Sequence, residues 1–478
     1  MKTNKKTIIF AFLLVTTLVI SGCGFKPAPP PRYNVTLEIW GPFDDSTTFT
    51  DIFNNFRKID PNVTQIVYKK MSQDTYEKDL LNALASGEGP DIFLINNTWL
   101  PSFKDKLDPA PAQILPEQTF KNNFVDVAAD DFDSNGQIYA VPLTVDSLAL
   151  YYNKDLFNAA GITAPPTDWT TFMKDAQLLT KFDSSGQIIQ SGAAMGTADN
   201  INRASDILNL LMLQNGTQMP SAANPRAAFD QIETNGNNSF FPAGNALDFY
   251  TSFANSSDSN YSWNSDMHYS LDAFAAGNLA MMLNYSWNIP TIEAESPKLN
   301  FDVAPVPQLS TTQPVNFANY WGYAVAKNKV IPTLTSGAPK GTLPENDNVR
   351  VQEAWKFLTY LTTQPVQNSA ASAASSNPTS ITGSQPQNSQ ATFDPAWDYL
   401  QETDQPAARK DLIEKQKDEP MIGVFAEQNL IDKSWYEIDP DDTETVFLNM
   451  IDEINKGQAT TTDAIKAAVA KINQLTGN

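Results

Sequence analysis

Cysteine and histidine are almost absent from this 478-residue sequence: Cys23 and His268 are the only ones. A single thiol excludes an intrachain disulfide, and a single imidazole excludes the paired-histidine zinc motifs. Basic residues are also scarce, with 32 Lys+Arg against 54 Asp+Glu for a net charge of −22. That balance argues against nucleic acid as a partner and against electrostatic docking on anionic lipid. After the amino terminus no apolar run approaches the roughly 20 residues of a membrane span. No internal repeat of about 20 to 50 residues is visible. A glycosidase would need two carboxylates flanking a bond, and no segment marks such a pair.

What is present begins with a leader. Lys2, Lys5 and Lys6 precede an uncharged apolar stretch from Ile8 to Ile20, then Ser21 and Gly22. This order is that of a secretory signal over residues 1–22. Ile20-Ser21-Gly22-Cys23 resembles the bacterial lipobox, which implies cleavage before Cys23 and lipidation of its thiol. Ordinary secretion with a spare cysteine is the alternative. Residues 23–32 form a proline-rich tether, extended and semi-rigid.

The body that follows alternates strand and helix patterns. Val35, Leu37 and Ile39 alternate in a strand stopped by Gly41-Pro42. Phe49, Ile52, Phe53, Phe56 and Ile59 recur at helical spacing. QIVYK is a second strand, and Tyr76, Leu80, Leu81 and Leu84 mark a second helix, capped by Asp74 and closed by Gly87. The continuous run DIFLI, Asp91 to Ile95, reads as a buried parallel strand. The order βαβαβ implies a parallel sheet with right-handed crossovers and an α/β class. Downstream, LALYY from Leu148 and WGYAVAK from Trp321 are strand-like. Helices are expected over residues 168–180, from Glu353, and at the carboxyl end with Ile465, Ala468, Val469 and Ile472 on one side. LDAFAAGNLAMMLNYSW from Leu271 reads as helix, Gly277-Asn278 turn and buried strand. Residues 329–348 and 367–392 look like loops with no assigned chemistry.

Four segments in order carry a resemblance: SGEGPDIFLINNTWLPSF from Ser86, YAVPLTVDSLALYYNKDLF from Tyr139 with AGITAPPTDWTTF, AFAAGNLAMMLNYSW from Ala273, and NYWGYAVAKN from Asn319 with EAWKFLTYLTT. The chain resembles the family 1 extracellular solute-binding proteins of ABC importers, the group of the maltose- and trehalose-binding proteins. The resemblance implies a two-lobe α/β fold of the type II periplasmic-binding-protein kind, joined by hinge crossings. Lobe one would hold residues 33–145 and 306–431, and lobe two residues 146–305 and 432–478. It further implies a monomeric, non-enzymatic receptor without cofactor or metal. The receptor would sit by its lipid on the outer face of the cytoplasmic membrane and deliver a carbohydrate, an oligosaccharide, to a permease. The same role for a polyol phosphate, vitamin or metal chelate remains open. So does an enzymatic or adhesive surface lipoprotein, since fold alone does not settle function.

A sugar offers hydroxyl rims to carboxylates and amides and C–H faces to aromatic rings. Ligands of open α/β sheets lie beyond the carboxyl ends of strands. Trp40, Asp44 and Asp45 follow the first strand, and Asn96, Asn97 and Trp99 follow DIFLI, so these form the expected lobe-one half-site. The resemblance adds Asp146 at the first crossing, Trp287 after AMMLNYS, Trp321, and Trp435 near the third crossing. Asn319-Tyr320 stand where the family has glycines, a departure that narrows the site or adds a ring. Each residue has a plainer alternative: Trp40 and Trp99 as lobe-surface packing, Asp146 as a hinge hydrogen-bonder, and Asp44 or Asp45 as a helix cap. Trp169 and Trp355 fall on apolar helical faces and are expected in the core. The stretch from Asp131 opens like a calcium loop, but Pro142 stands where the twelfth-position glutamate is required. A tight turn accounts for Asp133, Asn135 and Gly136.

Overall fold

The alternation Val35, Leu37, Ile39 buries one face of the strand Val35–Gly41, which pairs in parallel with Val63–Lys70 on one side and Ile92–Asn96 on the other. The computed structural model describes residues 32–235, 238–331, 342–365 and 393–475. Cys23, the leader, most of the tether, residues 332–341 and residues 366–392 lie outside the described residues. The helix Thr50–Ile59 connects the first two strands and buries Ile52, Phe53 and Phe56, whereas Ile59 at its end is exposed. Burying each such side chain is worth about 1.5–3 kcal/mol. Helix Tyr76–Ser86 makes the second connection, and Gly87 ends it at φ 74°, a left-handed position that suits glycine. The expected cap Asp74 is displaced, because Gln73–Thr75 forms a 3₁₀ turn and the Thr75 hydroxyl donates to Asp79 Oδ2 at 2.8 Å.

This βαβαβ unit is then extended by two strands that run the other way. Trp321–Val325 lies antiparallel to Ile92–Asn96, with Trp321 opposite Asn96, and Ala140–Val141 closes the far edge. An antiparallel strand starts where its parallel neighbours end. Trp321 therefore reaches the sheet edge at which Gly41 and Asn96 leave it.

A second five-stranded sheet runs Phe301–Ala304, Ala149–Asn153, Leu279–Asn284, Ile188–Ala193, Lys181–Phe182. The strand Leu279–Asn284 is buried at every residue, in keeping with its unbroken apolar sequence, and follows helix Ser270–Ala275 through Gly277 at φ 77°. Helix Trp169–Leu179 is capped by Asp168, which accepts the Thr171 N–H at 2.9 Å, and buries Trp169, Phe172, Ala176 and Leu179. Trp355 is likewise in the core, on helix Asp347–Thr362. The carboxyl-terminal helix Thr461–Leu475 buries Ile465, Ala468, Val469 and Ile472. At the calcium-like stretch, Asp133–Ser134 pairs with Gln137–Ile138 across a turn with Asn135 and Gly136 at positive φ.

Two separate apolar cores result. One packs around the first sheet, from Val35 to Val145, Ala318 to Ala326, and Ala354 to Ala426. The other packs around the second sheet, from Leu148 to Phe317 and again from Phe425 to Ile472. The middle passage is long. Val306 and Phe317 still belong to the second core and Ala318 is the first to join the other. Residue 306 therefore sits on the second-core side of the passage. The passages are laced together: Asn316–Phe317 pairs with Asp432–Lys433, Asn319 N–H donates to the Asp146 carbonyl at 2.9 Å, and Asn429 Nδ2 donates to the Val145 carbonyl at 2.6 Å.

Candidate functional site

Between the two cores lies a cavity of about 700 Å³. Its first-core wall includes Phe43, Asp44, Asn96, Trp321 and Tyr399, its opposite wall Arg203 and Trp287, and the passages contribute Asp146 and Asn319. A smaller arm of about 230 Å³ opens beside it and shares Asn96, Asn319 and Trp321.

The first strand ends at Gly41 and sends the next residues over the cavity. Asp44 accepts from the Tyr399 hydroxyl at 3.1 and 3.2 Å, and burial pushes its carboxyl up to about 6 in spite of that bond. Asp45 instead points to solvent and pairs with Lys70 at 3.0 Å. Neither acid caps the turn Ser46–Phe49 through its side chain. Trp40 does not reach the cavity. Strand alternation places it on the face of Glu38, where its Nε1 donates to Glu38 Oε1 at 2.7 Å and Lys69 Nζ lies 4.4 Å above its ring.

The loop after Ile92–Asn96 is held by side-chain amides. Asn96 donates from Nδ2 to Asn319 Oδ1 at 3.1 Å, while its own Oδ1 accepts from Thr98 N and Oγ1. Asn97 is buried and donates to Asp131 Oδ2 at 3.1 Å, so it fixes the loop and borders only the smaller arm. Trp99 also lines that arm, stacked on Phe103 and edge-on to Trp321 at 5.0 Å. Phe43 meets Trp321 edge-on from the other side at 5.1 Å. Trp321 thus stands between two aromatic neighbours and faces both arms.

Asp146 lines the cavity and is also a hydrogen-bonding junction. Only 4% exposed, it accepts from Ser147 N at 2.8 Å, Ser286 N at 3.0 Å and Ser286 Oγ at 2.6 Å. Burial pushes its carboxyl up to about 7, against those bonds. It therefore ties the first passage to the turn Ser286–Asn288 that carries Trp287. That indole is 39% exposed and stacks at 4.2 Å on Tyr285, whose hydroxyl donates to Asp206 Oδ2 at 2.8 Å. The indole lines the cavity.

Trp435 is a core residue. It is 6% exposed, donates to Asn209 Oδ1 at 3.2 Å and packs on Phe447 at 5.9 Å. Tyr320 adds no second platform, because its ring packs on Phe132 and its hydroxyl donates to the half-buried Asp131. Asn319 does line the cavity. Phe43, Arg203 and Tyr399 also belong to the lining, and no local motif marks them. Phe43 lies inside the same loop as Asp44 and could have been read, but Arg203 and Tyr399 reach the cavity only through tertiary packing.

A model of the family described as bacterial extracellular solute-binding protein matches residues 40–368. A binding protein of Brucella abortus (strain 2308) is 27% identical over 128 residues, which is 27% of this chain. The chain spans 31% of the length of that relative. The multiple sugar-binding protein of Streptococcus mutans serotype c is 24% identical over 374 residues, covering 76% of this chain and 80% of that protein. Among solved structures, the cyclic alpha-maltosyl-1,6-maltose binding protein of Arthrobacter globiformis superposes with a TM-score of 0.68 at 18% identity, over 92% of this chain and 99% of that one. At that identity the likeness shows the fold, two α/β lobes flanking a cleft.

Proposed function

The chain belongs to the bacterial extracellular solute-binding proteins, and we propose that it captures a carbohydrate, an oligosaccharide, between its lobes for delivery to the permease of an ABC importer. The observation that carries this reading is the pair of indoles on opposite walls of one cavity, the exposed Trp287 and the partly buried Trp321, with Asp44, Asn96, Asn319 and Arg203 in the same lining. Ring faces suit the C–H surfaces of a sugar, and fixed carboxylates, amides and a guanidinium suit its hydroxyl rim. A cavity of about 700 Å³ has room for more than one sugar ring. The printed names of several relatives, including the maltotriose-binding protein of Pyrococcus abyssi, point the same way.

Capture works by closure. Residues 33–145 and 318–431 act as one lobe and residues 146–317 and 432–478 as the other. Ligand bridging both walls favours the closed state by its extra contacts there. No catalytic step is assigned. Lipidation of Cys23 would keep the receptor, a monomer, at the outer face of the cytoplasmic membrane beside its permease. The test is tryptophan fluorescence and calorimetry of the Cys23→Ser protein with mono- and oligosaccharides. A saturable response at micromolar sugar is expected, weakened at least tenfold in Trp287→Ala with little change in ligand-free melting temperature, because that indole is half exposed. Silence toward every sugar, with a response to a polyol phosphate, vitamin or chelate, would overturn the carbohydrate assignment.

A further inference from the structure

The smaller arm of the cleft has two unlike walls. One carries Asp206, Glu437, Asp441 and Glu444, and the other carries Trp99 and Trp321. Glu437 is the informative residue. It is 8% exposed, lines this arm, and among the described residues has neither a hydrogen bond nor an ion pair. Burial and the charges of Asp206, Glu444 and Asp131 push its carboxyl well above the usual range. Among the described residues lining the two arms, Arg203 is the only cation, and it is engaged by Asp206 at 3.4 Å. Across the cleft, Glu77 on helix Tyr76–Ser86 is raised by burial and by the charges of Asp441 and Asp439. The arm therefore gathers four acids, Asp206, Glu437, Asp441 and Glu444, beside one cation, Arg203, which is already engaged by Asp206 and leaves Glu437 without a partner.

We propose that this arm receives a positively charged group of the solute, the ammonium of an amine-bearing sugar, an inference that rests on the carbohydrate reading above. Carboxylates on one side supply the counter-charge, and indole faces on the other attract a cation through their quadrupoles. The sugar ring bearing the amine would continue past Trp321, which lines both arms, into the larger cavity. An inorganic divalent ion fits less well. Among the described residues no three acidic, histidine or cysteine side chains converge as a metal-binding group.

The experiment is calorimetry at pH 6 with the glucosamine disaccharide, its N-acetylated counterpart, cellobiose, spermidine and calcium chloride. The amine disaccharide should bind at least tenfold more tightly than the N-acetylated one, and Glu437→Gln should reduce that ratio at least fivefold. Glu444→Gln serves as a second variant if the melting curve shows that Glu437→Gln does not fold. Equal affinities, a preference for the neutral sugars, or a ratio unmoved by either variant would overturn the inference and leave the carbohydrate function standing. Saturable calcium binding lost in Glu437→Gln would overturn it too, by placing a metal in the arm. Spermidine bound in the absence of any sugar binding would support the cationic arm and overturn the carbohydrate reading, and no binding of any probe at millimolar concentration would overturn both.

Discussion

Asp146 lines a binding cavity while its carboxylate is occupied by the protein itself. Three donors, Ser147 N, Ser286 N and Ser286 Oγ, hold it in place, yet burial raises its pKa from 3.8 to about 7. A carboxyl with a raised pKa binds more protons folded than unfolded, so stability declines as pH rises from 3.8 toward 7. Asp44 and Asp131, each pushed up to about 6 by burial, act in the same direction over a narrower window. The ligand-free protein should therefore melt at a higher temperature at pH 5 than at pH 8. Asp146→Asn should shrink that difference, since an amide does not ionise, whereas Asp146→Ala should lower the melting temperature at both pH values by stranding three donors, at about 1–3 kcal/mol for each one left buried. Differential scanning calorimetry of the three proteins across pH reads the slope directly. An unchanged slope in Asp146→Asn would mean that other buried acids set it.

The strand Trp321–Val325 shows what can and cannot be read from sequence at the scale of elements. Its apolar pattern identifies a strand, as the local patterns identify the first βαβαβ unit and the buried run Leu279–Asn284. Its direction and neighbour are set by a chain that has visited the other core for some 170 residues, and no local pattern carries that information. The same limit separates the site residues. Trp321 and Trp287 were identifiable through their family-like segments, but Trp40 needed the strand's facing and Trp435 needed its distant partner Asn209. Gly322 tests how tightly the strand holds its first residue. A Cβ there would stand 2.6 Å from Phe132 Cε2 and 3.1 Å from Ala140 Cβ, both in packed core. Gly322→Ala should cost about 1–3 kcal/mol by overpacking and should weaken sugar affinity by displacing Trp321. Urea denaturation with parallel titration checks both, and retained affinity would show that the indole is positioned by Phe43 and Trp99 rather than by its strand.

At the scale of the whole molecule, the laced passages and the acidic cleft act on one equilibrium, the approach of the two lobes. Glu77 belongs to one lobe and Asp439 and Asp441 to the other, and the charges of those two aspartates raise the cost of ionising Glu77 across the gap. The chain as a whole carries a net charge of −22. Salt screens such charges over about 10 Å at 0.1 M and about 3 Å at 1 M. Closure around a neutral sugar should therefore become easier as sodium chloride rises from 20 to 500 mM, with a tighter dissociation constant and a smaller radius of gyration by X-ray scattering at subsaturating ligand. An amine-bearing sugar should show the opposite trend, because salt weakens the attraction that draws its ammonium into the acidic arm. Glu77→Gln should flatten the response to the neutral sugar by removing one side of the repulsion. If neutral and amine-bearing sugars respond to salt alike, the charges flanking the cleft do not govern closure, and the interactions of Asp146, Asn429 and the paired segment Asn316–Phe317 at the passages must set that equilibrium by themselves.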